Sequence, residues 1–107
     1  MKNIYNKLVR DKIPKICEED GEVPRYYVLS QSRFRQELKR KAVEEAKELL
    51  AADKSQLKNE IADIYEVLLN LAKTFGIRWS EIEKFRQEKN KKRGSFEKKY
   101  FLVSSKK

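Results

Sequence analysis

The chain has 107 residues, is 40% charged and 39% hydrophobic, and carries a net charge of +9 from 26 basic against 17 acidic residues. That length suits one domain with one core, and with no run near the roughly 20 apolar residues of a membrane span, a transmembrane protein is excluded. A single cysteine excludes an internal disulfide, and three glycines with two prolines suit long helices, so an all-α fold over a single domain, 1–107, is expected.

Lys2, Lys7, Arg10 and Lys12 open the chain without the apolar run of a signal peptide, so a cytoplasmic location is expected. Leu8, Val9, Ile13 and Ile16 form an amphipathic start, a short helix or turn that Pro14 opens or interrupts and that ends near Asp20-Gly21. Cys17, beside Ile13 and Ile16, reads as a packed thiol, not a nucleophile. Residues 21–30 form a connector in which Tyr26-Tyr27-Val28-Leu29 is expected to run extended and pack on the helices.

Ser30 or Ser32 caps the next helix, which runs to about Ala52. Its stripe is Phe34, Leu38, Ala42, Glu45 and Leu49, so a carboxylate falls where the core should be apolar. Glu48 lies one turn further along the same side, about 60° from Glu45. Asp53 with Gln56 reads as a capping box for a second helix that reaches Phe75 before a stop at Gly76. Leu57, Ile61, Ile64, Leu68 and Leu71 make its stripe, with Glu60 at the shoulder and Asp63 one turn later. The short link predicts an antiparallel hairpin in which all four carboxylates converge.

Ser80 with Glu83 reads as a further capping box, with Trp79 as a hydrophobic staple and Ile82 and Phe85 on the inner side of a helix that ends by Gly94. The tail Phe96 to Val103, through Tyr100, Phe101 and Leu102, is apolar enough to dock as a strand or extended arm. Lys89, Lys91, Lys92, Arg93, Lys98, Lys99, Lys106 and Lys107 crowd this end, so an anion is expected nearby. A nucleotide polyphosphate explains such a balance as well as nucleic acid does. With no helix-turn-helix or comparable motif, a basic nucleic-acid or protein-binding module without catalysis is the alternative reading.

Four carboxylates gathered at a core face need a positive partner, because burying unpaired ions costs several kcal/mol each. Oxygen-only ligands, in a chain with no histidine, point to a hard cation, Mg2+ or in its place Mn2+, which leaves positions for phosphate oxygens. The absence of histidine also excludes a Glu-x-x-His di-iron bundle.

Val43-Glu44-Glu45-Ala46-Lys47-Glu48, followed by Glu60-Ile61-Ala62-Asp63, resembles the E-E-x-x-E then E-x-x-D signature of the all-α nucleotide pyrophosphatases, which MazG-like proteins share. Tyr5-Asn6-Lys7-Leu8-Val9-Arg10-Asp11-Lys12-Ile13-Pro14 and Lys92-Arg93-Gly94-Ser95-Phe96 look like the flanking motifs of the phosphoribosyl-ATP pyrophosphohydrolase-like branch. The resemblance implies Mg2+ held by Glu45, Glu48, Glu60 and Asp63, with Glu44 as an extra ligand or base. It implies hydrolysis of a nucleoside triphosphate to its monophosphate and pyrophosphate, often removing non-canonical nucleotides. Asn6, Lys7, Arg10, Lys12 and Arg93 become candidates for phosphate and sugar contacts. A homo-oligomer, dimer or tetramer, is implied too, and an α-helix apolar on two sides agrees with it: Ile64, Leu68 and Leu71 line one face, and Tyr65, Leu69 and Ala72 extend it.

Overall fold

The computed structural model describes residues 3–107; Met1 and Lys2, the latter among the basic residues named above, lie outside them. Four helices follow in order: α1 (Ile13–Glu19), α2 (Gln31–Ala51), α3 (Lys54–Thr74) and α4 (Trp79–Arg93). All regular structure among the described residues is helical. The chain divides into two compact units, one ending at Gly76 and one beginning at Ile77.

The first unit is built on α2 and α3, which pack on each other. Local chemistry sets their ends. Ser30 Oγ accepts from the Arg33 amide at 3.2 Å and starts α2. Asp53 Oδ1 accepts from the Ser55 and Gln56 amides at 2.9 and 3.2 Å, while Gln56 Oε1 accepts from the Asp53 amide at 3.4 Å, which is the expected reciprocal cap of α3. After Phe75, Gly76 turns the chain at φ +70°, a conformation that disfavours a Cβ. Arg35, near the start of α2, ties down the end of α3: its Nη2 donates to the Thr74 carbonyl, and its guanidinium lies 4.4 Å from the Phe75 ring centre. Pro14 opens α1 in its first turn. The Cys17 thiol is partly buried, and burial followed by the Glu22 charge pushes its pKa up, which disfavours the nucleophilic thiolate.

Leu38, Val67 and Ala72 are the buried apolar side chains among the described residues. On α2 the expected stripe holds, with Leu38 and Glu45 buried and Phe34, Ala42 and Leu49 partly so. On α3 the inward line is instead Glu60, Ile64, Val67 and Leu71, while Leu57, Ile61 and Leu68 are exposed, Ile61 at 53%. The expected stripe is therefore displaced toward solvent, and Glu60 moves from its shoulder to the inner face. The cause is that apolar residues occupy most of the circumference of α3, so their period alone does not select which part meets α2.

Further expectations are corrected. Tyr26, Tyr27 and Val28 do not pack on the helices; all three are exposed, Val28 at 93%. In the second unit, α4 starts at Trp79 with Arg78 as its N-cap and no side-chain cap bond, so Ser80 and Glu83 form no capping box and Trp79 is a helical residue, not a staple ahead of the cap. The Glu83 carboxylate is taken by Arg86 one turn on, which competes with the cap for it. Phe85 is exposed and does not serve as an inner residue, and α4 ends at Gly94 as expected. Phe96 and Tyr100 to Val103 are exposed without strand structure, so the tail does not dock.

Candidate cation site on the helix pair

One carboxylate oxygen from each of Glu45, Glu60 and Asp63 lies within 4.8 Å of the others. Glu45 comes from the inner face of α2, Glu60 and Asp63 from successive turns of α3, so helical period and the packing of the pair bring the three together. Glu45 is 7% exposed, the buried charged residue of the described chain. Its Oε2 and the Oε2 of Glu60 are buried and accept no hydrogen bond. Native proteins leave few buried acceptors in that condition, and an ionised one is costlier still.

The electrostatics agree with the geometry. Burial first, then the adjoining Glu48 and, more weakly, Asp63 hold the Glu45 carboxyl above its ordinary range, against Lys41 at 3.7 Å. Burial, then the charges of Glu48 and Asp63, raise the Glu60 carboxyl as well. Glu48 is exposed and outside the close triplet, yet it acts on both Glu45 and Glu60, so all four expected carboxylates share one electrostatic environment. Unpartnered buried oxygens, mutual repulsion and an all-oxygen donor set fit a hard divalent cation.

Glu44 behaves differently. Lys7 Nζ lies 3.3 Å from its Oε1 and Lys41 Nζ 3.2 Å from its Oε2. Burial alone would raise its pKa, but the hydrogen bonds and charges of Lys41 and Lys7 outweigh that and hold it below the ordinary range. With both oxygens facing lysines it is weakly basic and already neutralised.

Arg10 Nη2 donates to Asp63 Oδ1 at 2.8 Å, so two of the N-terminal basic residues meet the acidic helices. Asn6 is exposed at φ 46°, a left-handed conformation that asparagine tolerates better than most residues. Lys12 is the N-cap residue of α1 and makes no side-chain cap bond. Arg93 closes α4 in the second unit, where it lines a concavity with Gly94, Ser95, Glu97, Lys98 and Tyr100.

Lys41 and Asn59 belong to the site but were not singled out as functional from the sequence. Lys41 reaches both Glu44 and Glu45, and Asn59 Nδ2 donates to Asp63 Oδ2 at 3.4 Å. Their signal was present as spacing: Lys41 precedes the two glutamates by three and four residues, and Asn59 precedes Asp63 by four.

A family model described as phosphoribosyl-ATP pyrophosphohydrolase matches residues 15–90. The match contains all five acidic residues and stops short of Asn6, Lys7, Arg10 and Lys12 on one side and Arg93 on the other. No curated protein and no solved structure matches the chain.

Proposed function

The chain belongs to the phosphoribosyl-ATP pyrophosphohydrolase family and is a pyrophosphohydrolase acting on a phosphoric anhydride, and we propose that it cleaves nucleoside triphosphates, non-canonical ones among them, to the monophosphate and pyrophosphate with Mg2+ as cofactor. Mn2+ would serve in its place. The observation that carries this reading is the pair of buried, unpartnered oxygens on Glu45 and Glu60 within a triplet of converging carboxylates.

Charge supports it further. Glu44, Glu45, Glu48, Glu60 and Asp63 bring five negative charges, and the basic side chains paired with them, Lys7, Arg10 and Lys41, bring three. The excess negative charge is what a divalent cation would offset. Glu45, Glu48, Glu60 and Asp63 are the residues that would hold it. When bound, such a cation supplies Lewis acidity that activates water at neutral pH and screens the phosphoanhydride. The chain's own part is positioning and charge: Asn59 orients Asp63, Lys41 faces Glu44 and Glu45, and the lysine and arginine residues compensate charge on the departing pyrophosphate. Glu44, committed to two lysines, serves this scheme better as an anchor for Lys7 than as a base.

Asn6, Lys7, Arg10, Lys12 and Arg93 are proposed as the residues that meet phosphate and sugar. The same reading carries an antiparallel α2–α3 hairpin, a single domain over 1–107, a cytoplasmic location, and a dimer or tetramer in the form of a helix bundle. The experiment is a screen of nucleoside triphosphates with Mg2+, reading released pyrophosphate, on the wild type, Glu48→Gln and Asp63→Asn. Both variants are expected to lose Mg2+-dependent turnover while circular dichroism stays unchanged. Unchanged turnover in both would make these carboxylates structural.

A further inference from the structure

Asp63 has competing claims on it. It contributes an oxygen to the triplet with Glu45 and Glu60, yet its Oδ1 accepts from Arg10 at 2.8 Å and its Oδ2 from Asn59 at 3.4 Å. A divalent cation drawn to the triplet meets an arginine already seated on one of its ligands, and two positive charges at such separation repel. Either the cation shares Asp63 with Arg10 or the arginine leaves.

The surroundings of Arg10 favour leaving. Its side chain is 60% exposed and commits one N–H donor to Asp63, and exposed ion pairs are weakly held in water. Between Asn3 and Lys12 the chain has neither helix nor strand. What fixes Arg10 is its backbone: its carbonyl accepts from the Ile13 amide at 3.1 Å, which pins the residue to the entry of α1. Three residues earlier, the half-exposed Lys7 meets Glu44 of α2 at 3.3 Å. The side chain is thus free to turn while its base stays beside the carboxylates. A guanidinium turned away from Asp63 presents a planar fork of donors that suits two oxygens of a phosphate group.

We propose that Arg10 is a substrate-binding residue that changes partner, neutralising Asp63 while the cluster holds no divalent cation and turning onto phosphate oxygens of the polyphosphate when a cation takes Asp63. The exchange rests on the cation-site reading above and adds an order to it: the cation frees the arginine that then grips the nucleotide. It accounts for why a phosphate-seeking side chain sits on a carboxylate expected to ligate metal.

The test is Mn2+ binding to the full chain without nucleotide, followed by electron paramagnetic resonance of the free ion, together with steady-state kinetics under saturating Mg2+. Arg10→Ala is expected to bind Mn2+ about threefold more tightly than the wild type, because a weak competitor has been removed. Its KM for nucleoside triphosphate is expected to rise about tenfold or more, because the phosphate contact is lost. Arg10→Lys restores the competing charge without the fork, so its Mn2+ affinity returns to wild type while its KM stays raised. Circular dichroism checks that the exposed substitution leaves the fold intact. Equal or weaker Mn2+ binding by Arg10→Ala, with the wild type binding normally, overturns the exchange and leaves the cation site standing. A wild type that binds no Mn2+ removes the site and the exchange together.

Discussion

Replacing Glu45 with glutamine should make the protein more stable without divalent cation and less stable with it. Glu45 Oε2 is buried and accepts no hydrogen bond, and burial and Glu48 both oppose its ionised form. An amide of the same shape removes one of the crowded negative charges, and its N–H2 group can donate to the neighbouring carboxylates. An unsatisfied buried acceptor costs about 1–3 kcal/mol, and a hydrogen bond to a charged group contributes on the same scale. Against this stands the pair with Lys41 at 3.7 Å, a long contact whose loss leaves Lys41 still paired with Glu44 at 3.2 Å. The balance is a gain of about 1 kcal/mol, which for a chain of this size moves Tm by about 5 °C. Mg2+ at 100 times its dissociation constant would add about 2.7 kcal/mol to the wild type through mass action, and little to a variant whose site is weakened. The order of the two Tm values should therefore invert between EDTA and excess Mg2+, measured by scanning calorimetry. A variant that melts several degrees below wild type in EDTA, or that gains as much from Mg2+ as wild type does, would refute the reasoning.

Asp53→Ala should lower Tm by a few degrees at neutral pH, because it deletes the acceptor of the α3 cap. The Ser55 hydroxyl and the backbone amides hold the Asp53 carboxyl below its ordinary range, so the stabilisation is present above the unfolded-state value and fades as pH falls through the depressed one; melts at about pH 7 and about pH 2 should show the gap between wild type and variant closing. Sedimentation velocity at micromolar concentration should show a dimer or tetramer, and Ile61→Lys, which places a charge on the exposed apolar face of α3, should yield monomer with unchanged circular dichroism; a wild type that sediments only as monomer while hydrolysing nucleotide would overturn self-association.

Features written within one helix were legible in the sequence. The caps at Ser30, one of the two serines the sequence offered, and at Asp53 rest on residues no more than three positions apart, and the structure forms both. Ser80 and Glu83 have the same spacing and failed, because Arg86 offers Glu83 a charged partner one turn on, which the two-residue motif does not weigh. The apolar stripe located the inner face of α2, where it is narrow, and misplaced that of α3, where it is broad. Tyr26 to Val28 and the tail from Tyr100 to Val103 show the opposite limit: apolar composition marks a segment as wanting cover and does not say what covers it.

The acidic site divides along the same line. Glu45 was conspicuous because it interrupts a stripe whose other members are apolar, and such a substitution survives only where something offsets the cost of burial. The carboxylates follow from period and a short link, both local. The contacts of Lys7 with Glu44 and Arg10 with Asp63 span 37 and 53 residues, and no periodicity couples positions so far apart. Only the packing of an irregular segment against a helix pair brings them together. A basic residue in such a segment gives no sign, from its own sequence, of whether it meets solvent, phosphate or carboxylate. At Arg10 the carboxylate is in place, and the weakness of that exposed bond is what would let a phosphate replace it.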